Sequence, residues 1–446
     1  MNVKRTLIDR LPPGAKRLLA VPYDWHQTRE ANKIFATKRL PRTNTSPDAP
    51  RHIVCVVVDA LRADHITPEL TPFLTDYNRT DAITPASWTF PAMSSFVTGM
   101  YPNEHGAMKQ IDEPEEGLTL PPTLPDDRTT VTEALAGAGY ETYGGFGHDT
   151  PFVALSGRFA THELYHSVTA NADDVLGDHA RWINGRERTF SLLHLADPHI
   201  PVDPPAEYWD RHDVDETIEE IKNWRYNSET DCDEACERYR DHRRRLYRAS
   251  IEYVDDAIAR YVDQLDEVLD ERPLLVVTAD HGEAMWEHVD FDVEHFDGTG
   301  CVDHGGAAYD ELARVPLVTN RSWPLDGPVS LIDVAPTILD AVDLDTIETS
   351  GISLRKSVPP ERQLLFESSL NGYEKKAVFD GEYKLLVSHG DDVDVTLTNP
   401  GDAVAEVPSD RLASMREILP PWPGGSDDAT DVSGVVEDRL AKLGYK

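Results

Sequence analysis

Apolar runs alternate along this chain with segments whose apolar positions recur at helical spacing. The runs that predict strands buried in a sheet are residues 52–58, 141–147, 189–196 and 273–279. The segments that predict amphipathic helices are residues 129–139, 171–186 and 240–269. Buried strands that alternate with helices predict an α/β fold, with a doubly wound, mainly parallel sheet flanked by helices.

The pattern changes after Pro336. Between residues 362 and 400, shorter candidate strands are separated by NG, DG and GDD turns, which indicates an antiparallel sheet. We therefore predict a large α/β domain over residues 49–345 and a smaller C-terminal α+β domain over residues 346–446. Residues 1–48 are predicted to form a basic N-terminal extension.

Carboxylates stand where three of the predicted strands end, at Asp59, Asp197 and Asp280. Because the carboxyl ends of parallel strands meet at one edge, where open α/β sheets bind ligands, we expect these side chains to converge. The imidazoles that accompany them in the sequence are His199, His281 and His304. Such a mixed set favours Zn²⁺ or Mn²⁺, whereas Ca²⁺ or Mg²⁺ would suit an all-oxygen site. One or two ions there could polarise a phosphoryl or sulfuryl oxygen.

A nucleophile is expected on a loop that leads into a helix, where backbone N–H groups and the helix dipole favour an anion. Residues 84–100 (TPASWTFPAMSSFVTGM) fit this description, because Pro85 and Pro91 mark the entry and an apolar helix follows.

Six segments in sequence order resemble the sulfatase-like branch of the alkaline-phosphatase superfamily. VVVDALRADH (56–65) looks like the first metal-binding strand end of that family, and TFPAMSSFVTGMYPNEHG (89–106) resembles its nucleophile helix. HLADPHIP (194–201) is similar to a substrate-side strand, and TADHGE (278–283) to the second metal motif. The two remaining segments are YDELARVPL (309–317) and IDVAPTILD (332–340).

The resemblance implies roles for individual residues. The implied ligands of a metal beside the nucleophile are Asp59, Thr89, Asp280 and His281. The residues implied to bind a second metal or the substrate oxyanion are Asp197, His199 and His304. Thr89, at the nucleophile position, and His199 are the implied catalytic residues.

The chain departs from the sulfatase pattern at the nucleophile. Sulfatases oxidise a cysteine or serine to formylglycine, but Thr89 cannot undergo that conversion, and Met93 replaces the usual arginine. Ala60 follows Asp59 where a second aspartate is common, and His281 follows Asp280 where asparagine is common. Threonine with Asp-His is similar instead to the phosphodiesterase and phosphotransferase members.

The sequence therefore predicts a metal-dependent hydrolase that uses a threonine nucleophile and favours phosphate monoesters or diesters over sulfate esters. The substrate is expected to be a small molecule or a lipid- or sugar-linked ester. Three alternatives stay open: a transferase of phospho-headgroups or phospho-sugars, a sulfuric ester hydrolase, and a catalytically silent binding homologue. The sequence does not fix the oligomeric state.

The net charge indicates the kind of environment in which the protein works. Asp and Glu number 80 against 43 Lys and Arg, which gives a net charge of −37, and only 12 of the basic residues are lysine. An acidic surface that is poor in lysine suits a salt-rich cytosol, where self-repulsion is screened, and argues against a nucleic-acid partner. The resemblance and this composition together imply a halophilic, archaeal-type member of the family.

The N-terminal residues differ from this acidic background. Residues 1–45 hold ten basic and three acidic residues, with apolar and aromatic residues between them. This segment predicts either an arm that contacts anionic lipid at the inner membrane face or, as the favoured interpretation, an extension packed against the acidic body. The lack of an apolar leader predicts a cytoplasmic protein. The four cysteines also favour a reducing compartment over a disulfide framework.

Overall fold

The computed structural model describes residues 13–108, 120–165, 170–345 and 347–422. Its strands are β1 (His52–Val58), β2 (Asn78–Ile83), β3 (Glu141–Phe146), β4 (Thr161–Leu164), β5 (Thr189–Leu195), β6 (Leu274–Ala279), β7 (Ala284–Met285), β8 (Val302–Asp303), β9 (Arg314–Thr319), β10 (Val329–Ser330), β11 (Leu364–Ser368), β12 (Lys375–Phe379), β13 (Tyr383–Ser388) and β14 (Asp394–Thr398). Eight of them form one large sheet in the order β10-β2-β9-β6-β1-β5-β3-β4.

The centre of this sheet is β1, which is buried along its whole length. Its β-branched residues suit a strand covered on both faces. It pairs in parallel with β5 on one side and with β6 on the other. Only β9 runs against the other seven strands, because it pairs antiparallel with both β2 and β6. The predicted mainly parallel sheet is therefore confirmed, and the carboxyl ends of β1, β5 and β6 lie side by side.

The described helices are α1 (Pro13–Thr37), α2 (Pro72–Thr75), α3 (Thr89–Thr98), α4 (Pro102–His105), α5 (Val131–Gly137), α6 (Asp149–Ala154), α7 (Ala172–Ile183), α8 (Ala206–Arg211), α9 (Glu234–Val268), α10 (Val289–Phe296), α11 (Asp310–Ala313), α12 (Val334–Ala341) and α13 (Ser409–Glu417), with short 3₁₀ turns at Ala63–His65 and Leu331–Asp333. Three of them, α5, α7 and α9, correspond to the helices predicted from the sequence. The longest, α9, begins six residues earlier than predicted, because the Asp233 side chain accepts a hydrogen bond from Cys236 N and caps the helix.

A separate antiparallel sheet, in the order β11-β12-β13-β14, lies within residues 346–446, as predicted for the C-terminal α+β region. Its apolar face does not form an isolated core. Phe366 and Phe379 from this sheet pack in one cluster with Ile83 and Phe296 from the larger part of the chain. The small sheet is thus held against the large α/β body by shared apolar contacts. Residues 423–446 of the predicted domain lie outside the described part.

The N-terminal extension forms α1, and residues 1–12 of the predicted basic segment lie outside the described part. The Asn32 Oδ1 atom accepts a hydrogen bond from His162 N at 2.8 Å, and Lys38 Nζ forms an ion pair with Glu133 at 2.6 Å. Trp25 is 60% exposed. These contacts attach the end of the helix to the acidic body. Among the described helices, none combines the length and the apolar character that a membrane crossing requires.

The cysteines differ from the prediction of four reduced thiols. Cys232 and Cys236 form a disulfide, with their Cα atoms 5.3 Å apart, whereas Cys55 and Cys301 are free and buried. Cys232 lies two residues before α9 and Cys236 lies in its first turn, and the capping residue Asp233 between them accepts a hydrogen bond from Cys236 N.

Candidate active site and metal centre

Two carboxylates meet at the carboxyl edge of the large sheet, where β1 and β6 end. Asp59 follows β1 and Asp280 follows β6, and both side chains are almost entirely buried. The Asp280 Oδ1 atom accepts hydrogen bonds from His281 N at 3.0 Å and Ala60 N at 3.4 Å. The other oxygen, Oδ2, has no hydrogen-bond partner among the described residues, and neither has Asp59 Oδ1. Buried carboxylate oxygens of this kind are suited to a cation.

His281 completes this group. Its Nδ1 donates a hydrogen bond to Gly282 O at 2.8 Å, which leaves the lone pair of Nε2 facing the carboxylates. Nε2 lies 3.2 Å from Asp59 Oδ1 and 3.6 Å from Asp280 Oδ2. One ligand atom from each of the three residues lies within 4.8 Å of the others. The chemistry and the tautomer of this set fit a divalent metal ion.

Burial disfavours the charged form of these two carboxylates, but interactions with nearby histidines outweigh the effect of burial. Burial alone would raise the pKa of Asp59; the charge of His199 and the hydrogen bond and charge of His148 instead hold that pKa well below its usual range. Burial and the charge of Asp59 both raise the pKa of Asp280, yet interactions with His281 and His194 leave it lower than usual. Both carboxylates are therefore anionic at neutral pH.

Thr89 is the first residue of α3, and the whole of this helix is buried. Its Oγ1 atom lies 3.3 Å from His281 Nε2. The helix ends at Gly99, which adopts a left-handed conformation with φ of 70°. The hydroxyl thus lies at the sheet edge that carries Asp59 and Asp280, at a helix N-terminus that favours anions. The structure brings together the four residues implied as ligands of the first metal.

A second group of histidine and carboxylate side chains lies next to the group formed by Asp59, Asp280 and His281. His304 stacks on His281 with ring centroids 4.3 Å apart, and His199 follows at 4.9 Å from His304. The His304 Nδ1 atom lies 2.6 Å from Asp303 Oδ1 and 3.6 Å from Glu283 Oε1. Burial lowers the pKa of His304, but Asp303 and Glu283 raise it well above its ordinary value, so His304 carries a positive charge. Such a cation suits the oxyanion role that the sequence implied.

His199 has the opposite protonation preference. Its Nδ1 donates to Ile200 O at 2.8 Å, and burial lowers its pKa to about 4, so the ring is neutral near pH 7. One atom each of His199, Asp303 and His304 lies within 4.8 Å of the others, so with His304 in its neutral form this group could also hold a second ion.

Asp197 lies elsewhere. Its Oδ1 accepts a hydrogen bond from Ala172 N at 3.1 Å, at the beginning of α7, and its carbonyl accepts one from Ser250 at 2.7 Å. None of the described groups of candidate metal ligands contains Asp197. Burial raises the pKa of this carboxyl to about 7. In this structure the side chain anchors a helix to the sheet edge.

Four residues near the site were not singled out by their sequence positions: His148, His194, Glu283 and Asp303. His148 follows β3 at the same sheet edge, so the strand-end argument that selected Asp59 applies to it equally. Its Nδ1 accepts a hydrogen bond from Thr150 N, and its Nε2 donates to Asp59 Oδ2 at 2.6 Å. His148 therefore orients the carboxylate of Asp59. No sequence signal distinguishes His194, which lies inside β5, from an ordinary core residue.

A further acidic group, made of His288, Glu311 and Asp402, lies where the two sheets meet. His288 Nε2 is 3.1 Å from Glu311 Oε2, and Lys384 forms ion pairs with both Asp402 and Asp310. The lysine already compensates the carboxylates, so this group is explained as a structural contact.

The family can now be assigned. The sequence profile of the family described as Sulfatase matches residues 51–344, which include every site residue described above. This chain belongs to the sulfatase family. The "Uncharacterized sulfatase YidJ" of Escherichia coli (strain K12) is 32% identical to this family member over 107 residues. That stretch covers 23% of this chain and 19% of the length of the relative.

Solved structures share the fold of this sulfatase-family chain. A phosphonate monoester hydrolase from Silicibacter pomeroyi is 15% identical, with a TM-score of 0.59 and coverage of 82% of this chain and 93% of that one. The phosphonate monoester hydrolase of Agrobacterium radiobacter is 15% identical, with a TM-score of 0.61 and coverage of 82% and 94%. BT4656, in complex with its substrate D-glucosamine-2-N,6-O-disulfate, is 12% identical, with a TM-score of 0.61 and coverage of 89% and 98%. These structures confirm the predicted architecture, and the profile match confirms the predicted sulfatase-type family.

Proposed function

We propose that this member of the sulfatase family is a metal-dependent ester hydrolase in which Thr89 is the nucleophile, and that it prefers phosphate esters to sulfate esters. One observation carries the proposal. The Thr89 hydroxyl lies at the N-terminus of α3, 3.3 Å from His281 Nε2, beside two buried carboxylates. A hydroxyl in this position is placed for activation and for in-line attack on a bound anion.

The residues that would hold the metal are Asp59, Thr89, Asp280 and His281, and the mixed donor set favours Zn²⁺ or Mn²⁺. When bound, a divalent ion supplies Lewis-acid chemistry and lowers the pKa of a hydroxyl group. The protein itself orients these ligands. Hydrogen bonds from Ala60 N and His281 N fix the Asp280 carboxylate, and the hydrogen bond from His281 Nδ1 to Gly282 O fixes the tautomer of that ring.

The proposed reaction has two displacements. The Thr89 hydroxyl gives up its proton as its oxygen attacks phosphorus, a phospho-threonine forms, and the leaving-group oxygen departs with the bonding electron pair and takes up a proton. Water then loses a proton as it attacks the same phosphorus atom, and the Thr89 oxygen leaves with the bonding electron pair and regains its proton. The cationic His304 is suited to stabilise non-bridging oxygens during both displacements, and the neutral His199 is suited to accept a proton from water.

The preference for phosphate follows from the chemistry of threonine. The hydrate of formylglycine carries a second hydroxyl, which expels sulfate by forming the aldehyde. Thr89 has only one hydroxyl, so its sulfate ester would have to wait for attack by water. The names of two structural neighbours, both phosphonate monoester hydrolases, support phosphorus chemistry on this fold, whereas BT4656 binds a sulfated sugar.

Substitutions at Thr89 test the proposal. Thr89→Ala should lower turnover of a nitrophenyl phosphodiester by at least about 10³-fold, whereas Thr89→Ser should keep much of the rate. Mass spectrometry of a quenched turnover should find phosphate on the peptide that contains Thr89. Thr98→Ala, at the other end of the same helix, is the matched control, because its hydroxyl bonds to backbone groups of Ser94, Ser95 and Met100.

The same panel should include nitrophenyl phosphate and nitrophenyl sulfate. An active Thr89→Ala protein would exclude the threonine mechanism. Faster hydrolysis of the sulfate than of every phosphoester would favour the sulfuric ester hydrolase alternative.

A further inference from the structure

His194 is a fully buried histidine near the carboxyl end of the core strand β5. Neither Nδ1 nor Nε2 has a hydrogen-bond partner among the described residues. Buried polar side chains in folded proteins nearly always have at least one partner. An imidazole with two unused nitrogens in the interior is costly unless it interacts with something else.

The surroundings of His194 indicate what that interaction is. Its Nε2 atom lies 3.6 Å from Asp59 Oδ2 and also 3.6 Å from Asp280 Oδ2. These are the two carboxylates of the proposed metal centre. The ring of His148 packs edge-on against the ring of His194, with the two centroids 5.1 Å apart, and His148 donates its own hydrogen bond to Asp59. His194 therefore faces both carboxylates without bonding to either.

The two distances fit coordination better than hydrogen bonding. A separation of 3.6 Å exceeds the range of an N–H···O hydrogen bond. Neighbouring ligand atoms on one five-coordinate ion, with bonds of roughly 2.0–2.2 Å, lie about 2.8–3.8 Å apart. The equivalent separation of His281 Nε2 from Asp280 Oδ2 is also 3.6 Å. Nε2 of His194 thus stands at the spacing of a ligand.

We propose that His194 is an additional metal ligand of this chain, binding through Nε2. This inference rests on the metal dependence in the proposed function and deepens it. Coordination satisfies one of the two unused nitrogens. A second imidazole also moves the donor set further from the all-oxygen type that Ca²⁺ and Mg²⁺ prefer and towards Zn²⁺.

Metal binding to the apo protein tests the proposal without any activity assay. Titration calorimetry with Zn²⁺ should show that His194→Ala and His194→Gln weaken binding by about 10–100-fold. Pulsed electron paramagnetic resonance of the Cu²⁺-loaded protein should show one directly coordinated imidazole nitrogen fewer in either variant. The control is His179→Gln, because His179 is equally buried but bonds to Ser191 and Tyr261. It should change neither the affinity nor the nitrogen count.

The outcomes separate this inference from the proposed function. If the unaltered protein bound no divalent ion, the metal dependence itself would fail, and His194 with it. If that protein bound Zn²⁺ while both His194 variants kept its dissociation constant and its nitrogen count, the ligand role alone would be overturned. Weaker binding with an unchanged nitrogen count would also overturn it, since His194 would then act only on the carboxylates. The His194→Gln variant keeps most of the side-chain volume, so a circular-dichroism melt of both variants identifies any loss of folding.

Discussion

At the scale of single residues, Asp280 combines two roles in one carboxylate. Oδ1 accepts two backbone hydrogen bonds, from Ala60 and His281, and so holds the loops that follow β1 and β6 together. Oδ2 has no hydrogen-bond partner among the described residues and faces His194 and His281. The structural role requires an acceptor atom, whereas binding a cation requires the negative charge.

The Asp280→Asn substitution separates these roles. The amide oxygen keeps the two backbone hydrogen bonds, so the melting temperature of the apo protein should stay close to that of the unaltered chain. Loss of the charge should weaken divalent-ion binding by about 100-fold and reduce turnover at least as much. Calorimetry and an esterase assay measure the two effects. Asp263→Asn, at an exposed position of α9, is the control. Full activity of Asp280→Asn would remove Asp280 from the site.

At the scale of elements, the small sheet supports the loop that precedes Thr89. Glu367 in β11 pairs with this loop through two backbone hydrogen bonds, from its own N to Pro85 O at 3.0 Å and from Ser87 N to its carbonyl at 3.3 Å. Ser87 Oγ donates to Ser368 Oγ, which in turn donates to Gly305 O, next to His304. One edge strand thus braces the loops that carry two of the candidate catalytic side chains.

The Glu367 side chain makes this contact sensitive to pH. Burial raises its pKa to about 8, although Lys376 and the hydrogen bond from Asn103 N oppose the shift. The unfolded chain releases this proton at an ordinary pKa of about 4.3. Between these values the folded state binds more protons than the unfolded state, so this group makes the free energy of unfolding fall as pH rises from about 4.5 to about 8.

The Glu367→Gln substitution should remove this pH-dependent loss of stability, because glutamine does not ionise. Its amide oxygen keeps an acceptor for Asn103 N. The melting temperature of the variant should exceed that of the unaltered protein, with a difference that widens from pH 5 to pH 8 and is nearly constant above that. Thermal melts at several pH values in one salt concentration measure it. Glu361→Gln, at an exposed position before β11, should show no such trend. A difference independent of pH would mean that the Glu367 carboxyl ionises as freely in the folded protein as in the unfolded chain.

At the scale of the whole molecule, the dominant property is the net charge of −37. Surface arginines compensate part of it locally, for example Arg260 with Asp173 and Arg416 with Asp394. Exposed pairs of this kind contribute little each, and the excess of acids leaves a net self-repulsion. Salt shortens the range of that repulsion, from about 10 Å at 0.1 M to about 3 Å at 1 M.

We therefore expect the melting midpoint to rise steeply with KCl between about 0.1 and 2 M, as measured by circular dichroism. A neutral osmolyte at matched osmolality is the control, because it does not screen charge. If the midpoint failed to rise with KCl, or rose equally with the osmolyte, the acidic surface would not be an adaptation to salt. The predicted location in a salt-rich cytosol would then lose its main support.

Sequence patterns alone were enough to predict the fold class and the edge of the sheet at which the candidate site lies. Continuous β-branched runs such as β1 can be buried only inside a sheet covered on both faces, and residues that end parallel strands must share an edge. This local reasoning was sufficient to predict that Asp59 and Asp280 lie at the same edge of the sheet. The six motifs in sequence order were sufficient to predict the family and to identify Thr89 as a candidate nucleophile.

Which polar residues meet depends on how the strands pack in three dimensions. Asp197 also ends a core strand, but its carboxylate lies at the N-terminus of α7. His194 is indistinguishable in sequence from a core residue, and its place between two carboxylates arises from the pairing of β5 with β1 and of β1 with β6. Residues as far apart as Asp59, His194 and Asp280 become neighbours only through strand order, which hydrophobic periodicity does not encode. The local hydrophobic pattern determines whether each segment forms a strand or a helix, whereas tertiary packing determines which side chains lie within a few ångströms of one another.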